Sequence, residues 1–357
     1  MDPLNLSGID RPLAPIVLGT MTFGDSVDER AGAAMIEDFL STGGTGIDTA
    51  NGYAGGPSET MLAQLLRGCR DQVVLATKVG IPHPDADDAA PLSVDGIHRC
   101  VAGSLRRLDT DHVDLLYLHQ PDRSTPITHT LEAIGNLLTA GMIRAWGVSN
   151  YAAWQIAELR YTAADLGVPD PVIAQQVYNV VATRIEDEYA EYAHTTKLPT
   201  VVYNPLAGGL LTGKHHPQET PGAGRFGLTR LGTMYRDRYW NDTIFTAVHA
   251  LQALAQDAGL PAAELALRWA MGRPVVNAVL IGGSRPDNIR TNLTAVSKGP
   301  LPTELSEAVT AISTAVRGPC RPTTADGHDK VSRRGTADSR GRRNRCLTRG
   351  DPSLAQG

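Results

Sequence analysis

The sequence predicts a closed (β/α)8 barrel, and three observations lead there. Short β-rich runs alternate with amphipathic helical windows from Ile16 to about Leu293, and regular strand-helix alternation forces parallel strands. Some runs are almost continuously apolar, as with Val113, Leu115, Leu116, Tyr117 and Leu118, which suits strands covered on both faces. Four of the eight runs also end on a polar residue, Thr49, Lys78, His119 and Asn204. An open doubly wound sheet would share the local pattern. However, no Gly-x-Gly-x-x-Gly separates the first strand from the first helix, which weighs against a dinucleotide site of Rossmann type.

In chain order, the predicted strands are Ile16–Gly19, Gly46–Thr49, Val73–Lys78, Val113–His119, Ile143–Val148, Ile173–Val177, Thr200–Asn204 and Ala278–Ile281. Between them, apolar residues recur every three to four positions, as one face of a helix requires. Met35, Ile36, Phe39 and Leu40 make such a face before the second strand, and Ile97, Val101, Leu105 and Leu108 make one before the fourth. The second strand runs into a glycine-rich loop, Asn51-Gly52-Tyr53-Ala54-Gly55-Gly56-Pro57. Such turn chemistry holds side chains at a rim rather than in a core.

With 357 residues, 42% hydrophobic and 20% charged, the chain is long enough to bury a large core in one domain or two. No apolar run approaches the roughly 18 to 20 residues that cross a bilayer, so no membrane partner is expected. The amino terminus Met1-Asp2-Pro3-Leu4-Asn5 lacks the basic and apolar regions of a signal peptide. Cys69, Cys100, Cys320 and Cys346 include no pair at metal-ligand spacing. Reduced thiols and a cytoplasmic location are the expectation. The formal charge of −5 hides an asymmetry, because residues 318–357 carry nine Lys or Arg against four Asp or Glu, a net of +5 that leaves −10 for the remainder. That tail, with Ser332-Arg333-Arg334-Gly335 and Arg340-Gly341-Arg342-Arg343-Asn344-Arg345, has too few apolar residues to offset the entropy of ordering it. Residues 1–317 are therefore read as the barrel and 318–357 as a disordered basic tail. The tail has no interleaved aromatics to stack on bases, so no nucleic-acid partner is expected.

Barrels of this kind place their sites at the carboxyl ends of the strands. Here those ends hold Thr20 and Met21, Asp48, Lys78, His119, Ser149 and Asn150, Gln175, Tyr203 and Asn204, and Gly282-Gly283-Ser284. A single Lys or His in such a place is often only the point where a strand meets water. Four ionisable groups, Asp48, Tyr53, Lys78 and His119, at the mouths of three consecutive strands ask for more than that. Asp48 would keep the Lys78 ammonium charged and oriented, and Lys78 would favour the Tyr53 phenolate, lowering a phenol pKa that starts near 10. The expected product is a general acid that gives up its proton near neutral pH. His215-His216 and Pro82-His83-Pro84-Asp85-Ala86-Asp87-Asp88 do not offer a convergent tetrahedral set, so no metal is expected.

These residues, in this order, resemble the aldo-keto reductases. The resemblance rests on Gly46-Ile47-Asp48-Thr49-Ala50 with Tyr53, on Thr77-Lys78, on Ser104-Leu105-Arg106-Arg107-Leu108 leading to Asp114-Leu115-Leu116-Tyr117-Leu118-His119, and on Gly147-Val148-Ser149-Asn150. It covers roughly Ile16 to Val316. Tyr203 to Lys214, followed by Gly224-Arg225-Phe226 and Met234 to Trp240, is most similar to the branch of aflatoxin-aldehyde and succinic-semialdehyde reductases. The resemblance implies reduction of aldehydes and ketones by NADPH bound across the barrel mouth. Tyr53 would be the proton donor, Lys78 and Asp48 its activators, and His119 the group orienting a small carbonyl substrate. Cofactor contacts would come from Thr20, Met21 and Asp48, from Ser149, Asn150 and Gln175 at the carboxamide, and from Tyr203 stacked on the nicotinamide. Asn204, Pro205, Leu206, Gly208, Leu210 and Lys214 would strap the pyrophosphate, and Gly282, Ser284, Arg285, Asn288 and Asn292 would meet the adenosine phosphate. Many members carry Arg at the position of Ser284, and here Arg285 would supply that charge.

For the substrate, Met21, His119, Arg225, Tyr235 and Arg236 are the candidates. An Arg fork suits a carboxylate, so Arg225 is expected to anchor the acid end of a small semialdehyde. The competing reading pairs Arg225, Arg236 and Arg238 with Asp237 and other surface acids. The resemblance also suggests a homodimer, and it admits an alternative function, because cytoplasmic β-subunits of potassium channels share the fold and the four ionisable residues. After Arg317 the chain departs from the branch's ending.

Overall fold

A computed structural model describes residues 1–219, 221, 224–227 and 230–317. The expected basic tail and the cysteines Cys320 and Cys346 lie outside the described residues. Eight strands form a closed parallel barrel: β1 (Ile16–Gly19), β2 (Gly46–Asp48), β3 (Val74–Val79), β4 (Val113–Leu118), β5 (Ile143–Ser149), β6 (Ala174–Val177), β7 (Thr200–Tyr203) and β8 (Ala278–Ile281). Each pairs with the next, and β8 returns to β1 through Val17 opposite Leu280. Closure leaves no open sheet edge, which removes the doubly wound alternative. Observed strands differ from the expected ones by one residue at most at either end.

The two faces of each strand bury different sets of residues. Leu75, Leu116, Leu118, Trp146, Val148, Val202 and Ile281 belong to a large cluster beneath the helices, whereas Val17, Val74, Ala76, Leu115, Tyr117, Ala145, Ile173, Val201 and Ala278 form a second, smaller cluster. The second set alternates with the first along the strands, so it is the barrel's inner filling. Leu6 and Leu13 join it from the amino terminus, where Leu4 and Leu13 form an antiparallel bridge that makes the floor of the barrel. The same two-residue step carried upward from the inner filling reaches Asp48 from Gly46, Lys78 from Ala76, His119 from Tyr117, Ser149 from Gly147, Gln175 from Ile173 and Tyr203 from Val201. Strand periodicity thus delivers those side chains to the mouth.

The outer helices start where their sequences provide caps. Asp28 accepts the Ala31 N–H ahead of Glu29–Ser41, and Ser93 accepts the Gly96 N–H ahead of Val94–Leu108. These side chains satisfy donors that the first turn leaves open. The expected apolar faces are buried at Met35, Ile36 and Phe39 and at Ile97, Val101, Leu105 and Leu108. Between β7 and the helix Asp242–Asp257 the chain inserts a strap, a short turn at Gly224–Phe226 and the helix Arg230–Tyr239.

Candidate active site

Asp48 and Lys78 form an ion pair inside the mouth, with side-chain exposures of 2% and 1%. Gln175 Nε2 donates to the other Asp48 oxygen at 2.9 Å. Lys78 Nζ also donates to the Thr49 carbonyl at 2.9 Å and to Tyr53 Oη at 3.0 Å, using all three ammonium protons. The Tyr53 ring meets His119 edge-on, with centroids 6.0 Å apart. Beyond Tyr53 the chain turns through left-handed φ at Ala54, Gly55 and Gly56. At Gly56, a Cβ would stand 3.0 Å from Arg107 Cδ, so the turn needs glycine both for its angle and for its space.

Burial and charge act on these groups in opposition. Burial presses the Lys78 ammonium down, but Asp48 and Tyr53 together hold it above its ordinary range. For Tyr53 the expected direction is reversed: burial raises the phenol more than Lys78 lowers it, and the net shift is upward. Lys78 shifts in the expected direction, whereas at Tyr53 the loss of solvation outweighs the charge. Burial, reinforced by Lys78, takes His119 down to about 3. It is therefore a neutral imidazole at physiological pH. Its Nδ1 is buried without a partner among the described residues.

The other expected residues divide into lining and supporting groups. Asn150 is exposed and carries a left-handed φ of 64°. It donates to the His119 carbonyl and to Ser149 Oγ, and its Oδ1 accepts Tyr203 Oη at 2.6 Å. Thr20 and Leu210 have no exposed surface, and Pro205 and Asn292 are buried. Asp48, Ser149 and Gln175 are buried to the same degree. Thr20 is occupied by the Asp48 carbonyl and by Ser58 Oγ. Asn204, Ala207, Gly208, Gly209 and Gly213 all adopt left-handed φ in the strap, and a Cβ on Gly209 would lie 3.6 Å from Lys214 Nζ, so the ammonium folds back over the strap. Leu206 is half-buried there. On the far side, Gly282 and Gly283 lead to the helix Pro286–Ser297, with Ser284 and Arg285 exposed and Asn288 half-buried at its start. A helix N-terminus with an exposed cation beside it suits a phosphate.

The two substrate arginines separate. Arg225 Nη1 donates to Tyr235 Oη at 2.8 Å and contacts Met21 Sδ at 3.2 Å, and its charge reaches Tyr53. Its partners among the described residues, Tyr235 and Met21, include no carboxylate. Arg236 faces away, donating to the Phe226 and Gly227 carbonyls and to Thr233. These bonds clamp the covering turn. Asp237 pairs with neither. Among the described residues no cluster of three His, Cys, Asp or Glu could hold a metal, and no helix is long and apolar enough to cross a membrane.

One support went unnoticed in the sequence reading although its residues lie in the recognised stretches. Glu59 is fully buried, accepts Thr77 Oγ1 at 2.5 Å and pairs with Arg107 Nε at 2.8 Å, while Arg107 Nη1 reaches Asp85 at 2.7 Å. This brace ties the Tyr53 loop to β3, next to Lys78. A Glu in the first turn of a helix reads as a solvated N-terminal charge, so only the distant Arg107 could have revealed it.

A model of the Aldo/keto reductase family matches residues 15–314. The chain belongs to that family. Aflatoxin B1 aldehyde reductase member 2 of Homo sapiens is 36% identical over 305 residues, covering 81% of this chain and 84% of the relative. Aldo-keto reductase family 7 member A3 of Homo sapiens is 37% identical over 309 residues, covering 82% and 92%. A probable voltage-gated potassium channel subunit beta of Arabidopsis thaliana is 32% identical over 289 residues, covering 80% and 88%. As an aldo-keto reductase the chain is an oxidoreductase, of a family that generally uses a nicotinamide cofactor.

Proposed function

We propose that this aldo-keto reductase reduces aldehydes and ketones with NADPH, takes its proton from Tyr53, and favours small carboxylated aldehydes such as succinic semialdehyde. The observation that carries the reading is the Lys78 ammonium, held by Asp48 and hydrogen-bonded to Tyr53 Oη at 3.0 Å, with Arg225, which pairs with no carboxylate among the described residues, across the mouth. The strap glycines, Lys214 and Arg285 are the residues that would hold the cofactor, with Asn150 and Tyr203 at its nicotinamide end. When bound, the nicotinamide supplies a hydride to the carbonyl carbon.

The chain's own residues do the rest. Tyr53 and neutral His119 hydrogen-bond the carbonyl oxygen, and donors set in place beforehand stabilise negative charge as it develops there. Tyr53 then releases its proton to that oxygen. A raised phenol pKa is no obstacle, because an alkoxide is far more basic than a phenolate. It keeps the acid loaded at neutral pH. Lys78 stabilises the phenolate left behind, and a positioned general acid contributes about 10²- to 10⁴-fold.

The test is NADPH consumption with succinic semialdehyde and with 4-nitrobenzaldehyde, by the wild type, Tyr53→Phe and Arg225→Met. Tyr53→Phe should lose turnover while still binding NADPH. Arg225→Met should raise KM for the carboxylated aldehyde alone, and an equal effect on both aldehydes removes the anchor. Arg285→Ala should weaken NADPH and leave NADH unchanged. The same reading takes the protein as a cytoplasmic homodimer, which sedimentation at varied concentration checks. A second reading, a nicotinamide-binding regulatory subunit, is favoured by the channel-subunit relatives. NADPH binding without turnover of either aldehyde, together with a stoichiometric membrane partner, would support it.

A further inference from the structure

The strap over the cofactor side and the cover over the substrate side are packed as one unit. Gly208 of the strap lies so close to the Tyr235 ring that a Cβ would stand 2.8 Å from Cδ1 and 2.9 Å from Cε1. His215, next to Lys214, packs edge-on against Phe226 and Trp240, with centroids 5.1 and 5.7 Å away. Beneath these contacts is a buried polar knot. Tyr239 Oη accepts Asn204 Nδ2 at 2.9 Å and Asn179 Nδ2 at 3.1 Å. Asn179 Nδ2 also reaches the Asn204 carbonyl at 3.0 Å, and Asn204 Oδ1 accepts the Gly208 N–H at 2.6 Å. Tyr239 is 1% exposed and Asn179 has no exposed surface, so no water replaces a lost partner without rearrangement. Asn204 itself has a left-handed φ of 61°, which an L-residue keeps only when its surroundings hold it there.

We infer that Tyr239 is a positioning residue that sets the cofactor strap and the substrate arginine in one register. Its hydroxyl fixes Asn204, and Asn204 fixes the turn that presents Gly208. One helical turn earlier, Tyr235 of the same helix holds Arg225 through its own hydroxyl. The helix Arg230–Tyr239 therefore touches the strap with one tyrosine and the carboxylate anchor with another. This rests on the proposed roles of the strap and of Arg225. It adds a residue that lies in neither site.

Tyr239→Phe in the full chain tests it, because the ring keeps its packing while the buried Asn179 amide and the half-buried Asn204 amide lose an acceptor, a loss large enough to move a binding constant about tenfold. Cofactor dissociation constants are measured by fluorescence titration for NADPH and NADH separately, so an error in cofactor preference is read independently. The expected result is a dissociation constant raised on the order of tenfold and a fall in the kcat/KM ratio of succinic semialdehyde over 4-nitrobenzaldehyde. The double variant with Arg225→Met should show no further fall in that ratio, since both changes act through one arginine. The pH profile of kcat should keep its shape, because Tyr53 and Lys78 are held from β2 and β3. Asn179→Ala, outside both strap and cover, should shift the dissociation constant in the same direction and serves if Tyr239→Phe does not fold. Dissociation constants and selectivity both within roughly twofold of wild type, with only the melting temperature lowered, overturn the inference. If Arg225→Met itself leaves the wild-type ratio untouched, the anchor reading fails and the dissociation constant alone decides the role of Tyr239.

Discussion

At Tyr53 two effects of opposite sign act on one phenol. Burial raises its pKa, Lys78 lowers it, and burial prevails. The phenol stays protonated up to and beyond its ordinary value near 10, so carbonyl reduction should be flat over roughly pH 6 to 9 and fall only at the alkaline end. A limb within that neutral range would mean that another group supplies the proton. His119, brought down to about 3 by burial and by Lys78, is neutral throughout the same interval and should add no limb of its own. Its depressed pKa also bears on stability. The unfolded chain takes up a proton below about 6.5 while the folded chain resists until about 3, so stability is full above the upper value and declines as pH falls toward the lower. His119→Asn should make that acid decline shallower, read as denaturant midpoints at several pH values.

Among the elements, the helix Val94–Leu108 braces the Tyr53 loop. Through Arg107 it reaches Glu59, whose side chain has no exposure, and Asp85. Arg107→Ala would strand a buried carboxylate, which costs about 3–5 kcal/mol, seen as a lower urea midpoint at unchanged slope. The folded fraction should also lose more in kcat than in KM, because Thr77 beside Lys78 is bonded to that same Glu59. In the strap, Gly208→Ala should disturb what the helix Arg230–Tyr239 holds. The new Cβ meets the Tyr235 ring at 2.8 Å on a residue whose φ is +70°, so strain and overlap act together. A weakened NADPH complex together with a lowered melting temperature is the expected readout.

For the whole molecule, the barrel works as a closed layer with a sealed floor. Leu6 and Leu13 fill its lower end against Val17, Val74 and Leu115, so the amino terminus contributes to a core whose functional face is at the opposite end. Leu13, 3% exposed, should cost about 2–5 kcal/mol when cut to Ala, with the nicotinamide affinity of the folded protein unchanged. A loss of affinity instead would mean that the floor and the mouth are coupled through the inner filling.

The sequence by itself determined the eight strands and the place of Asp48, Lys78 and His119 at their ends, because strand parity is local, while closure into a barrel rather than an open sheet was decided by the tertiary structure. Residues two apart share a face, and Ala76 inside the barrel places Lys78 at the mouth whatever the rest of the chain does. It also determined the family, since the motifs fall in order along one chain. Tertiary structure alone decided the sign of the Tyr53 shift, since solvation is lost to neighbours drawn from many elements. It likewise separated Arg225, held by Tyr235 and Met21 at 10 and 204 positions' remove, from Arg236, held by the Phe226 and Gly227 carbonyls at 10 and 9. The Tyr239 knot and the Arg107 brace join residues 60 and 48 positions apart. Partners at such separations are chosen by the closing of the barrel, which no window of sequence contains.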